Sequence, residues 1–167
     1  MASTKRLWIG LGLLLAASFA VLLWMGREVY VHAPPLPESI VTTAGEELYS
    51  RRDLETGRQV WQSTGGQQLG SIWGHGALIA PDWSADWLHR EAEALLDMWA
   101  GRLGAVDFAS LPLGQQESLK AQLRQEMRRN SYDAVTRVLT VSADRGQAIR
   151  LVAQHYIQLF GDDPDLA

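Results

Sequence analysis

An apolar run near the N-terminus places the strongest constraint on what this chain can fold into. From Leu7 to Gly26 the sequence has no charged residue, and Ser18 is its one appreciably polar side chain. As a helix, this run would rise about 30 Å, which matches the thickness of the hydrocarbon core of a membrane. Trp8 and Trp24 lie near its two ends, where indole rings favour the membrane interface. The run therefore predicts a transmembrane helix over residues 7–26.

A cleaved signal peptide is the competing interpretation of the N-terminus. Residues 1–6 form a basic start, and Ala16-Ala17-Ser18 offers small residues. However, the apolar run is longer than the core of a usual signal peptide, and no Ala-x-Ala site follows it, so a retained anchor is favoured. Lys5 and Arg6 then predict a cytoplasmic N-terminus and a periplasmic location for everything after Arg27.

The distribution of prolines and charge completes the outline of the chain. Prolines in Ala33-Pro34-Pro35-Leu36-Pro37 favour an extended lead-out from the anchor. The chain has 15 basic and 19 acidic residues, and without Lys5 and Arg6 the charge is 13 − 19 = −6, which argues against nucleic-acid binding. The predicted segments are a cytoplasmic tail (1–6), the transmembrane helix (7–26), the lead-out (27–39) and a periplasmic domain (40–167).

The periplasmic part is predicted to be mainly α-helical with one small β-hairpin. Residues 40–43 and 47–49 read as strands, and Gly45 can take a positive φ in the turn between them. On the last helix, the residues expected to face inward are Ala148, Leu151, Val152, Tyr156, Leu159 and Phe160. The predicted helices are one capped by Asp53 that continues through Trp61, one from Ala85 to Trp99 capped by Asp82 or Ser84, one from Gln115 to Arg129, and one capped by Ser142 after a strand at Val138–Val141.

The stretch from Gly57 to Glu91 resembles a c-type cytochrome segment that has lost its haem attachment site. Covalent attachment needs the pattern Cys-x-x-Cys-His, and this chain has no cysteine. By the resemblance, the two cysteines fall at Gly66 and Leu69, and the histidine falls at Gly70. The strings GSIWGHGA (70–77), APDW (80–83) and ADWLHRE (85–91) are similar to those in the N-terminal region of the single-chain, quinol-dependent nitric oxide reductases of bacteria.

That resemblance implies a haem-free, cytochrome c-like domain on the periplasmic side of the bacterial inner membrane, in an enzyme of denitrification. The family reduces two NO to N2O at haem b3 and a non-haem iron, supplied by a second haem b, and these irons together use six histidines of a membrane core. This chain has four histidines, at positions 32, 75, 89 and 155, so we expect no catalytic residue in it. It would dock on that core, in the same polypeptide or as a separate subunit, and meet quinol indirectly.

The resemblance also implies where the domain would meet the core. In two-subunit relatives a calcium ion lies near this segment, and the corresponding positions here are Gly76 and Leu78. Leu78 replaces the usual tyrosine, so only backbone carbonyls would remain as oxygen donors. The expected partner interface consists of Gly74, His75, Gly76, Pro81 and Asp82.

Three other interpretations compete with this one. A stand-alone membrane-anchored binding or assembly module would have the same sequence signals. A noncovalent haem b carrier would use His75 and His89, although no further ligands or orienting groups are visible around them. A serine hydrolase would need Gly-x-Ser-x-Gly, whereas the residues around Ser71 read Leu69-Gly70-Ser71-Ile72-Trp73.

Tryptophans are concentrated in the cytochrome-like region. A haem-free relative of a cytochrome must refill the volume of the cofactor or bear the cost of a cavity, and large aromatic side chains can do this. We therefore expect core filling rather than electron transfer from these side chains, which are Trp61, Trp73, Trp83, Trp87 and Trp99.

Overall fold

A computed structural model describes residues 2–76 and 80–161 of the chain. It divides into two compact units, Met1–Leu36 and Pro37–Ala167. Leu78, a predicted site residue, and residues 162–167, the end of the predicted periplasmic domain, lie outside the described residues. The chain is mainly α-helical, with one long apolar N-terminal helix and a small sheet, as the sequence predicted.

The first unit is built around one helix, α1 (Ala2–Val31). The helix over Thr4–Val31 is long and apolar enough to cross a membrane, and an 18-residue window within it has a mean hydropathy of 2.2. The helix continues beyond Gly26, so the first residues of the predicted lead-out are helical. Glu28 accounts for part of this extension, because its carboxylate lies 3.0 Å from His32 Nε2, one turn later. Pro34 and Pro35 follow and cannot continue the helix.

The second unit begins with the predicted hairpin, which the structure confirms. Strands β1 (Ser39–Thr42) and β2 (Glu47–Ser50) pair antiparallel, and Gly45 has a φ of 83° in the turn. β1 also pairs in parallel with β6 (Val138–Val141), the predicted late strand. β6 in turn pairs with β5 (Tyr132–Asp133), which the sequence analysis missed because two residues carry no periodicity. The sheet order is therefore β2-β1-β6-β5.

Helix α2 (Arg51–Ser63) corrects one predicted cap. Ser50, not Asp53, is the N-cap, and the two residues form a capping box. The Asp53 backbone N–H donates to Ser50 Oγ at 3.3 Å, and the Ser50 backbone N–H donates to Asp53 Oδ2 at 2.9 Å. Asp53 is thus the third residue of the helix, where a carboxylate returns a hydrogen bond to the cap.

After α2 come the short α3 (Gly66–Leu69) and a two-stranded hairpin of β3 (Ser71–Ile72) and β4 (His75–Gly76). Three longer helices complete the domain. They are α4 (Trp83–Arg102), α5 (Leu113–Arg128) and α6 (Ala143–Leu159). Ser142 caps α6 as predicted, and Asp82 is the cap of α4, for which the sequence left Asp82 and Ser84 open. Each of the two side-chain oxygens accepts from the backbone N–H three residues later.

The core lies between α4, α5 and α6. On α6, Ala148 and Val152 are buried as predicted, but Leu151 is 44% exposed and Phe160 is 57% exposed. The inward stripe passes through Ile149 instead of Leu151, because the face of α6 that meets α4 is rotated from the one that the periodicity suggested. The buried core cluster consists of Leu95, Trp99, Ala100, Leu111, Leu119 and Ala148.

Polar contacts fix the register of α4 against α6. Glu91 on α4 is only 2% exposed, and its carboxylate accepts a hydrogen bond of 2.6 Å from Arg145 Nε on α6. Trp87 Nε1 donates to the other Glu91 oxygen at 3.2 Å. A buried carboxylate without such partners would carry a large desolvation penalty, so this pair restricts how the two helices can slide.

A second carboxylate makes the same kind of contact one residue earlier on α6 and farther along α4. Asp144 on α6 accepts from Trp99 Nε1 at 2.8 Å and from both terminal nitrogens of Arg102, at 2.8 and 2.5 Å. Both donors lie on α4, so this bidentate pair ties the end of α4 to the start of α6.

Removing one member of the buried ion pair tests its role. We expect Arg145→Met to lower the free energy of unfolding by about 3–5 kcal/mol, because Glu91 is left charged and buried without its partner. Glu91→Leu combined with Arg145→Met should recover much of this loss. Denaturant unfolding of the chain in detergent, followed by tryptophan fluorescence, measures both.

The matched control is Arg150→Met, which breaks the pair between Arg150 and Glu46 on an exposed surface. Exposed pairs contribute about 0–1 kcal/mol, so this variant should unfold close to the native midpoint. Equal losses for Arg145→Met and Arg150→Met would contradict the assignment.

Candidate functional site

The segment that resembles a cytochrome motif folds into a short helix followed by a tight hairpin. After α3, residues Ser71 and Ile72 pair with Gly76 and His75 across a two-residue turn. The turn residues Trp73 and Gly74 have φ values of 54° and 73°, as a type I′ turn requires. Positive φ is uncommon for a tryptophan, so neighbouring contacts must hold Trp73 in this conformation.

Asp82 and Ser84 supply those contacts from the start of α4. Asp82 Oδ2 accepts from Ser71 Oγ at 2.8 Å and from the Gly74 backbone N–H at 2.7 Å. Ser84 Oγ accepts from the Trp73 backbone N–H at 2.9 Å. Asp82 therefore caps α4 and also holds the hairpin in place. We call the contacts of Asp82 and Ser84 with the hairpin the clamp.

The hydrogen bonds around Asp82 stabilise its charged form. The Ser71 hydroxyl, followed by the backbone N–H groups of Ala85 and Gly74, lowers the pKa of Asp82 to about 2. Asp82 is consequently a structural anion at neutral pH.

Next to the hairpin lies an aromatic pocket of about 370 Å³. Its lining is almost entirely apolar. The walls come from α2, β3, the turn and the facing ends of α4 and α6. The lining residues are Trp61, Ile72, Trp73, Trp83, Ser84, Trp87, Leu88, Tyr156 and Phe160. Such a surface is suited to holding apolar groups rather than to proton transfer.

Rings from α4 and α6 pack against each other in this pocket. Trp87 and Tyr156 are stacked with centroids 5.5 Å apart, and Tyr156 and Phe160 are stacked at 6.0 Å. Trp83 meets Tyr156 edge-on at 6.2 Å and Phe160 edge-on at 5.5 Å. These arrangements are the favourable ones for aromatic pairs, so the pocket wall is well packed.

The phenol group in the pocket wall is held in its neutral form. Burial, followed by the neighbouring Asp86 carboxylate, raises the pKa of Tyr156 to about 12. The Tyr156 hydroxyl donates to Asp86 Oδ2 at 2.6 Å, and Arg90 Nε donates to the same oxygen at 2.8 Å. Arg90 and then Tyr156 lower the pKa of Asp86. Near neutral pH the Tyr156 hydroxyl is therefore protonated and the Asp86 carboxylate is charged, with a hydrogen bond between them.

The positions that correspond to the haem attachment motif do not fit a covalent haem. The chain has no cysteine to form a thioether. Gly66 is buried against the indole of Trp61, and Gly70 lies against the indole of Trp83. Leu69, between them, is 61% exposed.

The structure places the other predicted site residues that it describes in two groups. Gly74, Pro81 and Asp82 come together, because the Pro81 carbonyl accepts from the Ser71 backbone N–H at 2.9 Å beside the Asp82 contacts. The backbone of His75 and Gly76 forms β4, opposite Ile72 and Ser71. Leu78 lies outside the described residues, so the proposed calcium position and the full interface remain predictions.

The described histidine side chains are spread over the chain. His89 is exposed on α4, with Nε2 3.2 Å from Glu93 Oε1. His155 packs edge-on against Tyr156, and its buried Nε2 has no hydrogen-bond partner among the described residues. In the part of the chain that the structure describes, no group of three or more acidic or histidine side chains is arranged to hold a metal ion.

Sequence reasoning missed the clamp and the cross-helix contacts. The four-residue spacing of Asp86 and Arg90 could have indicated their ion pair. By contrast, Ser71, Ser84 and Tyr156 meet their partners only through the tertiary fold, and no local pattern marks them.

The depressed pKa of Asp82 gives a testable pH dependence. Its charge contributes stability in full above the ordinary pKa of 3.8, and this contribution is lost as the pH falls toward 2. Asp82→Asn lacks the titration, so its melting temperature should fall less steeply than that of the native chain between pH 5 and pH 2. Thermal melts followed by tryptophan fluorescence measure the difference.

Ser84→Ala is the control for this measurement, because it removes a clamp contact without removing a charge. It should lower stability while keeping the native slope with pH. Parallel curves for Asp82→Asn and the native chain would count against the role of Asp82.

Comparison with known proteins places the domain in a family. A search of curated proteins finds no match to the chain. The family described as the cytochrome c-like domain of the nitric oxide reductase protein NorB matches residues 37–167, which is the whole second unit with its sheet, hairpin and aromatic pocket. Because the match covers most of the sequence, the chain belongs to the NorB cytochrome c-like domain family of nitric oxide reductases.

Proposed function

We propose that this chain is the haem-free, non-catalytic N-terminal anchor and periplasmic domain of a quinol-dependent nitric oxide reductase. In this role, the domain docks on a membrane core that carries haem b, haem b3 and a non-haem iron. The core performs 2 NO + 2 H⁺ + 2 e⁻ → N2O + H2O, with electrons from quinol. The domain covers the side of the core where two-subunit relatives receive electrons through haem c.

The observation that carries the proposal is an exposed apolar surface around the cytochrome-like segment. We call this set the docking surface: Val60, Leu69, Ile72, Trp73 and Phe160. Trp73, which the sequence analysis expected to fill the core, is instead the most exposed member of this set, at 75%. Contiguous exposed apolar patches of this kind mark interaction sites in soluble domains.

The docking surface continues on both sides of Trp61. A second cavity of about 390 Å³ is lined by Gly57, Val60, Trp61, Thr64, Gly66, Leu69 and Phe160. Trp61 and Phe160 belong to both cavities, so the two apolar hollows form one continuous surface. A partner with protruding apolar side chains would bury this surface, and membership of a nitric oxide reductase family supports the core as that partner.

Two features of the sequence support a quinol-dependent enzyme in which this chain is not the catalytic part. Without cysteine, the chain has no covalent haem to accept electrons from a soluble donor. Its four histidines fall short of the six that the irons of the family use. The positive residues Lys5 and Arg6 ahead of the apolar helix support a cytoplasmic N-terminus and a periplasmic domain.

The intact mass of the native polypeptide tests the proposal against its rival. We expect capture from solubilised membranes, with an antibody to residues 47–161, to yield haem b, either in a polypeptide several times the 18.5 kDa of this chain or in a second, copurifying protein. A mass near 18.5 kDa with no haem-bearing partner would favour a stand-alone anchored module.

Charged substitutions test the docking surface itself. Leu69→Asp combined with Trp73→Asp should lower quinol-driven NO consumption in membranes by about tenfold or more, because each introduces a charge into a buried contact. Val106→Asp combined with Val135→Asp is the matched control, since these valines are 95% and 91% exposed elsewhere on the domain. Equal activity of the two double variants would argue against the surface.

A further inference from the structure

The spacing of the haem attachment motif singles out three positions in this domain. A Cys-x-x-Cys-His pattern in the register of this segment would occupy positions 66, 69 and 70. The outer two are glycines, while Leu69 points its side chain largely to solvent. The surroundings of the two glycines differ from those of ordinary open glycines.

At position 66 an indole ring stands where a side chain would begin. A Cβ atom built on Gly66 would lie 2.5 Å from Trp61 Cε3 and 2.6 Å from Trp61 Cε2. Real Cβ atoms do not approach other heavy atoms below about 3.0 Å, so neither alanine nor cysteine fits beside this ring. The indole comes from α2, whose last turn packs directly on α3.

At position 70 a second indole and a backbone carbonyl close the same space. A Cβ atom on Gly70 would lie 2.6 Å from Trp83 Cδ1 and 2.7 Å from the Pro81 carbonyl oxygen. The carbonyl is fixed, because it accepts a hydrogen bond from the Ser71 backbone N–H. Trp83 Nε1 is buried without an acceptor among the described residues, as expected if the ring is held there by packing rather than by a hydrogen bond.

We propose that Trp61 and Trp83 occupy the side-chain places of the first attachment cysteine and of the axial histidine, so that the domain excludes haem by its packing as well as by its lack of thiols. Glycine at positions 66 and 70 is then the complement of the two indoles, and each Gly–Trp pair forms one interlocked unit. The inference rests on the proposed function, in which the domain works without haem, and it adds the residues that take the place of the cofactor.

Interlocked pairs predict a specific pattern of stability. In the full chain in detergent, Gly66→Ala and Gly70→Ala should each lower the melting temperature of the periplasmic domain by roughly 4 to 10 °C, the effect of a typical overpacked site. Gly70 has an extended backbone that any residue adopts, so its loss would come from the clash alone. Near-UV circular dichroism follows the loss of aromatic packing, and the signal of Trp8 and Trp24 on the apolar helix is common to every variant.

Double-mutant cycles then separate the pairs from general damage. In a Trp61→Leu background, Gly66→Ala should no longer lower the melting temperature, and the same should hold for Gly70→Ala in a Trp83→Leu background. Gly57→Ala is the matched control, because a Cβ there meets nothing within 4 Å and the helical position tolerates alanine. The inference is overturned if Gly66→Ala behaves like Gly57→Ala, or if its loss is unchanged when Trp61 is shortened.

A motif graft tests the consequence for haem. The pattern is created by three substitutions, Gly66→Cys, Leu69→Cys and Gly70→His. In a host that matures c-type cytochromes, each thiol S–H adds across a haem vinyl group and forms a C–S bond with no leaving group. With Trp61 and Trp83 intact, we expect no covalent haem by intact mass. Stoichiometric haem on this variant would overturn the inference. It would not decide the docking proposal, which the combined Leu69→Asp and Trp73→Asp variant tests separately through NO consumption in membranes.

Discussion

The contact between α4 and α6 is the constraint on which the rest of the second unit depends. Glu91 is buried almost completely, and a carboxylate in that position is stable only when Arg145 reaches it from the other helix. Apolar burial around Leu95, Trp99 and Ala148 supplies most of the attraction between the helices, but it is not directional. The charged pair therefore selects the register among the many that apolar packing would allow.

The register of α4 against α6 also sets the geometry of the candidate site. With Asp144 held by Arg102 at one end of the helix pair, Tyr156 and Phe160 arrive opposite Trp83 and Trp87 at the other end. The same end of α4 carries Asp82, which caps the helix and clamps the hairpin at Trp73. The pocket, the clamp and the docking surface are consequently parts of one arrangement.

Within this arrangement, indole rings from α2 and α4 pack directly against the backbone of α3 and the residue that follows it. A cytochrome fold has a cavity for a flat apolar group, and a chain that loses the group must refill the space or lose packing contacts. Here, Trp61 and Trp83 approach the backbone so closely that glycine is required at positions 66 and 70.

The sequence by itself determined the apolar N-terminal helix, the mainly helical class, the hairpin at Gly45, the cap at Ser142, and the family, because these signals depend on local periodicity, turn chemistry and a motif in fixed register. Only the tertiary structure decided that β1 pairs with β6, that Ser50 caps α2, that Leu151 faces outward, and which tryptophans close on Gly66 and Gly70. These features join residues that are distant in the chain or choose between neighbouring residues with equal propensity. Their outcome is set by how helices and strands pack, which no local pattern encodes.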